Sequence, residues 1–564
     1  MTADVSGRVH QLCNGFVRDY VAADPIRATF CGIAGHDEEM TDYSPDGHLA
    51  RAELARRALD SVRSAEPGSV DEVVAAAVFD ERIGLELEVH DAGLDMAALN
   101  VLDSPVQEIR RVFDLMSTDT VQDWEIIARR LSRVPDALRG LRASLLAAAD
   151  AGNAVAVRQV RRVAQQCDTW AGSSGPTSFF GTLVAGADRT EGVTPALGAD
   201  LRAGVAAAAA GYAETARFLR EELAPRARER DAVGSDRYLL WSRYFLGARL
   251  DLAEAYEWGW AEFTRIETEM WEVASRIVPG ATPTEAARAL DLDPRYWVTG
   301  QDGLLRWIQD LSDRTLAELN GSHFDIPPPL MRLECMLAPP GAGVTAYYTG
   351  PSADFSRPGR MWWSQPERDR FSTWREVSTV YHEGVPGHHL QIGTAVHLAD
   401  RLNDFQRMMC WVAGHGEGWA LYAERLMREL GFLTDDGDLL GMLDAQLFRA
   451  ARVVVDIGMH LELSIPAGTA FYEGQRWTPE LGSEFLLTRM IIDPARISDE
   501  IDRYLGWPAQ APAYKLGERL WLAARADAQR RRGAQFDLVQ FHRSALELGS
   551  MGLDTLAQRL ATLQ

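Results

Sequence analysis

The first 240 residues carry apolar side chains at intervals of three and four positions, with charged residues between them. This period is that of an amphipathic α-helix with one face in a core and the other in water. It predicts helices over residues 5–23, 48–63, 70–90, 121–131, 135–151 and 196–223. No motif with catalytic chemistry lies in this part. Residues 1–240 are therefore predicted to be a helical scaffold that forms one wall of a cleft.

Near residue 325 the pattern changes to short apolar runs that Pro and Gly residues separate. These runs predict a small antiparallel β-sheet with strands over residues 332–337, 344–349 and 360–364. Helical periodicity then returns, first near Ser372 or Thr373 and later over 442–465. The predicted fold class is mainly α, a large multi-helix body with one small sheet. Residues 241–564 are expected to join the scaffold half in one continuous structural unit.

Composition narrows the class of protein. The net charge of −23 argues against binding to nucleic acid or to anionic membrane surfaces. The five cysteines are widely spaced and form no C-x-x-C pair, and the start of the chain shows no apolar leader. These features predict a cytoplasmic protein with reduced thiols and without a membrane span. They do not indicate an oligomeric state.

The candidate chemistry lies in His382-Glu383-Gly384-Val385-Pro386-Gly387-His388-His389. Six of the twelve histidines fall between residues 382 and 460. A zinc hydrolase helix usually reads H-E-x-x-H, with both histidines on one face, but here Pro386 occupies the fourth position. Proline disrupts the helix around the carbonyl four residues back, and Gly387 permits unusual backbone angles. We therefore expect a two-residue bulge that brings His388 beside His382, with His389 as the alternative second ligand.

This motif, followed by Glu417-Gly418-Trp419-Ala420-Leu421-Tyr422-Ala423-Glu424, resembles the DUF885 family. That family is grouped with the zinc metallopeptidases whose third ligand is a Glu, the Glu-zincins, and is similar in outline to Taq-type carboxypeptidases. The resemblance extends from residues 25–29 to residues 536–538. It implies a hydrolase more firmly than it implies a substrate.

Two imidazoles and one carboxylate are the ligand set of a catalytic Zn²⁺ that keeps a position open for water. His382 and His388 are the predicted first ligands, and Glu383 is the predicted general base. Glu417 is the predicted third ligand, because the glycines around it allow close backbone approach. Glu424 has Arg428 four residues on and is interpreted as part of an ordinary salt bridge.

The helix over 442–465 carries a polar stripe on an apolar background. Arg449, Arg452 and His460 fall on one face of it. We hypothesise that His460 stabilises the oxyanion and that Arg449 or Arg452 binds a substrate carboxylate. A structural ion-pair network is the alternative interpretation of the stripe.

Three further residues complete the candidate site. Tyr514 resembles the tyrosine that helps to stabilise the tetrahedral intermediate in related zinc peptidases. Lys515 is the single lysine of the chain and is either a ligand for a terminal carboxylate or an accident of codon bias. Tyr348 lies in a predicted strand and either lines the substrate cleft or packs within the sheet.

Together these features predict a zinc-peptidase-like cleft with the small sheet next to the metal-binding helices. The expected function is that of a zinc-dependent metallohydrolase, which cleaves an amide bond by metal-activated water. The expected substrate is a small peptide or an N-acyl amino acid with a free carboxylate. Two alternatives stay open: a non-hydrolytic metalloenzyme that acts on a small acidic metabolite, and a catalytically silent helical binding protein.

Overall fold

The computed structural model describes residues 7–173, 178–338, 346–364 and 369–562. The described chain is mainly helical, as predicted. Its α-helices are α1 Arg8–Ala23, α2 Pro25–Phe30, α3 Pro45–Arg63, α4 Val70–Asp91, α5 Pro105–Arg111, α6 Val121–Asp150, α7 Val157–Ala171, α8 Phe179–Val184, α9 Pro195–Phe218, α10 Ser235–Leu246, α11 Leu252–Ile277, α12 Pro283–Leu292, α13 Gly300–Leu319, α14 Glu376–Glu383, α15 His388–His397, α16 Ala413–Glu429, α17 Asp436–Leu461, α18 Pro479–Arg489, α19 Pro494–Gly506, α20 Ala513–Arg532, α21 Leu538–Leu546 and α22 Leu553–Thr562.

The strands are β1 Trp297–Thr299, β2 Leu333–Leu337, β3 Ala346–Thr349, β4 Gly359–Trp363 and β5 Arg370–Ser372. The predicted small sheet is confirmed: β3 pairs antiparallel with β4, in the register Tyr348 opposite Met361. Strand β2 lies on the other side of β4 and runs parallel to it, which the sequence pattern did not indicate. A separate antiparallel ribbon joins β1 to β5. Val5 and Val344, which begin a predicted helix and a predicted strand, lie outside the described residues.

Helix α6 differs from the prediction because it continues through Pro135, where two helices were expected. Packing against α9 accounts for this continuity. A Cβ atom on Gly204 of α9 would lie 2.8 Å from the Leu131 side chain, and one on Gly211 would lie 3.4 Å from Pro135. The two helices therefore approach closely along their length, and the tertiary contact outweighs the local cost of an interior proline.

Two hydrophobic cores support the fold. The smaller core lies among α5, α6, α7 and α9. The larger one runs from α1, α3 and α4 through α11, α16 and α17 to α22, so it crosses residue 240. In the described part of the chain, no helix is long and apolar enough to cross a membrane. Helices α14, α15, α16, α17 and α20 meet within the larger core and position the candidate site.

Candidate metal centre

The helix that carries the motif is broken rather than bulged. Helix α14 ends at Glu383 and α15 begins at His388, with residues 384–387 as a short link. The Gly387 amide donates to the Tyr381 carbonyl at 3.0 Å, and the Trp419 indole donates to the Pro386 carbonyl at 2.8 Å. A Cβ atom on Gly387 would lie 1.9 Å from the His382 carbonyl oxygen, so only glycine fits. The break corrects the expected bulge.

The break brings the two predicted histidine ligands together. The imidazole rings of His382 and His388 lie 4.9 Å apart, nearly at right angles. Glu417 of α16 reaches both of them: its Oε2 lies 3.3 Å from Nε2 of His382 and 3.5 Å from Nε2 of His388. The three side chains each offer one ligand atom, and these atoms lie within 4.8 Å of one another. The residues predicted as metal ligands therefore converge.

This donor set fits a zinc ion. Ligand atoms held about 2.0–2.1 Å from a tetrahedral zinc stand roughly 3.4 Å apart. The two nitrogen-to-oxygen separations at Glu417 already have that length. Both histidines are buried, at 5% and 6% exposure, whereas Glu417 is half-buried. The arrangement can hold a metal on its inner side with an accessible position beside it.

His389 is not part of this group. Its Nε2 donates to the Leu330 carbonyl at 2.8 Å, and its Nδ1 accepts from the Tyr348 hydroxyl at 3.0 Å. Burial lowers the pKa of His389 to about 4, so the ring is neutral. His389 is therefore not the second ligand, in agreement with the preferred prediction of His388. The Tyr348 hydroxyl holds this core histidine, which corrects its predicted place in the substrate cleft.

Glu424, seven residues after Glu417 on α16, lies behind the centre. Its Oε1 accepts from Nδ1 of His382 at 2.7 Å, and its Oε2 accepts from the Ser378 hydroxyl at 2.6 Å. Its side chain is buried, and Arg428 pairs instead with Glu269. The interpretation of Glu424 as part of a surface salt bridge was wrong. A carboxylate on the far nitrogen of a ligating histidine orients the ring and raises its basicity.

The protonation states of His382, Glu417 and Glu424 depend on one another. Burial alone would lower the pKa of His382, but the Glu417 and Glu424 carboxylates outweigh it and raise the pKa to about 10. Burial likewise opposes ionisation of Glu417, yet the two histidines hold its pKa well below the usual value. A proton on the His382 imidazole therefore compensates the negative charges of Glu417 and Glu424, as a bound metal cation would. A metal that binds here must displace that proton.

Replacing Glu424 by Gln is expected to lower the affinity for metal by about 10–100-fold, because His382 loses its charged orienting partner. The dissociation constant of Zn²⁺, measured by competition with a chromophoric chelator, checks this. Glu429→Gln, an exposed position on the same helix, is the matched control and should bind Zn²⁺ like the wild type. Equal affinities of both variants would assign Glu424 a purely structural role.

Glu383 directly follows the first ligand and is buried. Burial raises its pKa, and the His388 and His382 rings oppose the rise. Within the described ranges the Glu383 carboxylate makes no hydrogen bond or ion pair. It is therefore available to accept a proton, as predicted for a general base.

Arg449 and Tyr514 also belong to this neighbourhood. The charge of Arg449 acts on the pKa of Glu383 and of Glu424, and the charge of Glu417 acts on that of Tyr514. The Arg449 guanidinium donates only to the Ala445 carbonyl of its own helix, at 3.2 Å, and has no ion pair with any described residue. The Tyr514 hydroxyl likewise has no hydrogen-bond partner in the described part. Both groups are free to contact a ligand.

Three other predicted site residues have internal partners. Arg452 forms an ion pair with Glu500 at 3.3 Å and donates to the Tyr504 hydroxyl at the same distance. His460 is fully buried and donates from Nε2 to the Tyr504 carbonyl at 2.9 Å. Burial lowers its pKa to about 4. These contacts correct the predicted roles of Arg452 in carboxylate binding and of His460 in oxyanion stabilisation.

The Lys515 ammonium also has internal partners. It donates to Gln446 at 2.5 Å and to Glu518 at 2.5 Å, and it lies 3.1 Å from Glu262. An ammonium has three donors, and all three have protein partners. With an exposure of 1%, the group cannot bind a substrate carboxylate. The structure thus corrects the prediction that Lys515 is a substrate ligand.

A residue that the sequence analysis missed is Trp411, whose ring lies 6.1 Å from that of His388 and which is 48% exposed. Trp411 is therefore a partly exposed neighbour of this histidine. On the α17 side, Arg449 lines a cavity of about 940 Å³ together with Phe448 and Trp363. None of the three metal-donor residues is among the described residues that line it.

A proposed lipoprotein from Colwellia psychrerythraea aligns over 98% of this chain and 98% of its own chain, with a TM-score of 0.83 and 22% identity. A proposed lipoprotein of unknown function from Shewanella oneidensis aligns over 98% of this chain and 99% of its own, with a TM-score of 0.74 and 15% identity. These likenesses show a shared fold. No curated protein matches the chain. The family model described as "Bacterial protein of unknown function (DUF885)" matches residues 25–560, so the chain belongs to the DUF885 family.

Proposed function

We propose that this protein is a zinc-dependent metallohydrolase of the Glu-zincin metallopeptidase type. The substrate class is a small peptide or an N-acyl amino acid with a free carboxylate. The observation that carries the proposal is the convergence of His382, His388 and Glu417 with an unpaired buried carboxylate, Glu383, next in sequence to the first ligand. Two histidines and one glutamate form the ligand set of hydrolytic zinc sites that keep a position open.

Each residue has a separate task in amide hydrolysis. Bound zinc would supply Lewis acidity for the scissile carbonyl and for the attacking water. Glu383 accepts the proton of that water and delivers it to the leaving amine. Its pKa, raised by burial, lies closer to neutrality than that of an exposed glutamate, which suits both transfers. The Tyr514 hydroxyl donates to the oxyanion, and Arg449 binds the substrate carboxylate.

The decisive experiment measures metal and activity together. Protein purified without chelator is analysed for bound metal, dialysed against Zn²⁺, and tested on free and terminally blocked dipeptides and on N-acyl amino acids. About one zinc per chain and hydrolysis that a chelator abolishes would support the proposal. Protein that holds no zinc and gains none on dialysis would refute it.

Replacing Arg449 by Ala is expected to raise KM for a free-acid substrate by about 10-fold or more, because a charge-assisted hydrogen bond contributes roughly 1.5–3 kcal/mol. The C-terminal amide of the same substrate has no carboxylate and serves as the control. Its kcat/KM should change little in the variant. Steady-state kinetics on the two substrates check this, and an equal loss on both would remove Arg449 from carboxylate recognition.

Replacing Tyr514 by Phe is expected to lower kcat by about 10²–10³-fold with KM little changed, since a bond to the oxyanion strengthens only in the transition state. The same kinetic assay checks this result. A rise in KM without a fall in kcat would instead place Tyr514 in ground-state binding.

A further inference from the structure

A second cavity lies in the N-terminal part of the fold. It has a volume of about 310 Å³ and is enclosed by α1 to α5, α10 and the segment at Met409. None of the three metal-donor residues lines it, as far as the described residues show. Its size falls at the lower end of ligand pockets, which span roughly 300–1,000 Å³. It can therefore accommodate a small molecule.

Two opposite charges face this cavity without pairing. Arg27 donates to the Met409 carbonyl at 3.0 Å, and neither Arg27 nor Glu86 forms an ion pair within the described ranges. They are nevertheless near each other: burial raises the pKa of Glu86, and the charge of Arg27 opposes that rise. Charges that leave water are normally paired, so two opposite charges that line one cavity without an ion pair can each accept a partner from a ligand.

A second unpaired couple lines the same space. Arg51 as a whole residue is 8% exposed, and its guanidinium donates to the Asp42 carbonyl at 2.7 Å, but no described carboxylate pairs with it. Glu108 accepts a hydrogen bond from the Tyr43 hydroxyl at 2.8 Å and likewise lacks a described cationic partner. The cavity thus offers two guanidiniums and three carboxyl groups, Glu86, Glu108 and Asp24, without a described ion pair. Burial raises the pKa of Glu108 to about 7.

His48 gives independent evidence for a missing partner. It is only 9% exposed, lines the cavity and holds Asp95 with its Nδ1 at 3.0 Å. Its Nε2 is buried and has no hydrogen-bond partner. A buried polar atom that is left unpaired costs free energy, and such atoms mark places where a ligand or ordered water completes the structure.

We propose that this cavity binds a small zwitterion, either a free α-amino acid or a dipeptide that carries its ammonium on one end and its carboxylate on the other. The carboxylate of the ligand pairs with Arg27 and its ammonium pairs with Glu86. An anion would leave Glu86 uncompensated, and a cation would leave Arg27 uncompensated, whereas a zwitterion satisfies both. The aromatic walls at Trp241 and Tyr244 suit an apolar side chain.

The test is binding of defined ligands to the full-length protein by calorimetry. Each of the twenty L-amino acids and the dipeptides Gly-Leu and Leu-Gly are titrated, and the tightest ligand is then compared with its deaminated and decarboxylated analogues. We expect saturable binding that falls about tenfold or more in each analogue, since each lacks one charge-assisted contact. Binding of free amino acids and not of dipeptides, or the reverse, identifies the source of the zwitterion.

Variants locate the ligand. Glu86→Gln and Arg27→Lys should each weaken binding about tenfold or more. Glu53→Gln and Arg57→Gln, exposed positions on α3, are the matched controls and should leave it unchanged. His388→Ala should also leave it unchanged, because the cavity does not contain the metal centre. The proposal is overturned if no probe binds, if an analogue binds as well as its parent, or if only His388→Ala abolishes binding.

Discussion

Glu383→Gln is expected to lower kcat by about 10³-fold while the protein keeps its metal, since general acid–base catalysis typically contributes 10²–10⁴-fold. The amide has the shape of the carboxylate but cannot accept a proton. Glu383 is not among the three converging donors, so its replacement leaves the ligand set intact. Metal analysis and kinetics on the same preparation of the variant measure both quantities.

The three donors should show the opposite pattern. Alanine at His382, His388 or Glu417 is expected to remove the metal and the activity together. His389→Gln is the matched control, because His389 is adjacent in sequence but bonds to Leu330 and Tyr348. It should retain the metal. Retention of zinc by His388→Ala, or loss of zinc from Glu383→Gln, would contradict this assignment of roles.

The helices, the short strands and the three donors could be predicted because their signals are local. The period of α4 predicts its residues almost to the end, and His382 and His388 are separated by one short link. The link itself could not be predicted as a break. It depends on the Trp419 indole, which comes from another helix to bond the Pro386 carbonyl.

The predicted roles of Arg452 and His460 were wrong because both residues have partners that are distant in sequence. Arg452 lies on the expected face of α17, but Glu500 of α19 meets it there. His460 lies on the same face about two turns further along α17 and contacts the Tyr504 carbonyl. A polar stripe on an apolar helix predicts buried partners, but it does not tell whether those partners belong to a ligand or to the protein.

For Glu424 the error is the opposite one, because a residue that belongs to the candidate site was interpreted as an ordinary salt-bridge partner. Arg428 stands four residues on and offered a local explanation, yet the side chain turns inward to His382. The usable signal was its spacing from Glu417: seven residues return to the same face of a helix after two turns. Two carboxylates on one face, with Glu417 among the three converging donors and Glu424 behind His382, form a pattern that sequence alone can suggest.

Replacing Lys515 by Met is expected to destabilise the fold by about 3–5 kcal/mol, because removal of one partner leaves buried charge uncompensated. The ammonium lies between Glu262 and Glu518, and Glu518 is itself almost fully buried. Burial opposes ionisation of Glu262, but Arg265 and Lys515 lower its pKa to about 2. Chemical denaturation of the wild type and the variant measures the loss.

The sign of the pH dependence follows from that shift. A carboxyl group whose pKa falls on folding stabilises the fold above its unfolded value of about 4.5, and this contribution is lost as the pH falls towards 2. In Lys515→Met the pKa of Glu262 should return towards its ordinary value. Glu262 should then contribute less to the loss of stability at acidic pH. The unfolding free energy of the variant should therefore depend less on pH between these limits.

Two further variants separate charge compensation from packing. Lys515→Met combined with Glu518→Leu should recover part of the stability, because the second change removes the charge that the first left unpaired. Arg519 lies on the same helix as Lys515, and Arg519→Gln breaks a partly exposed pair with Glu254 of α11, which should cost at most about 1 kcal/mol. If Lys515→Met were no worse than Arg519→Gln, the single lysine would be dispensable for folding. Its burial among acids would then reflect codon bias and not a requirement for an ammonium.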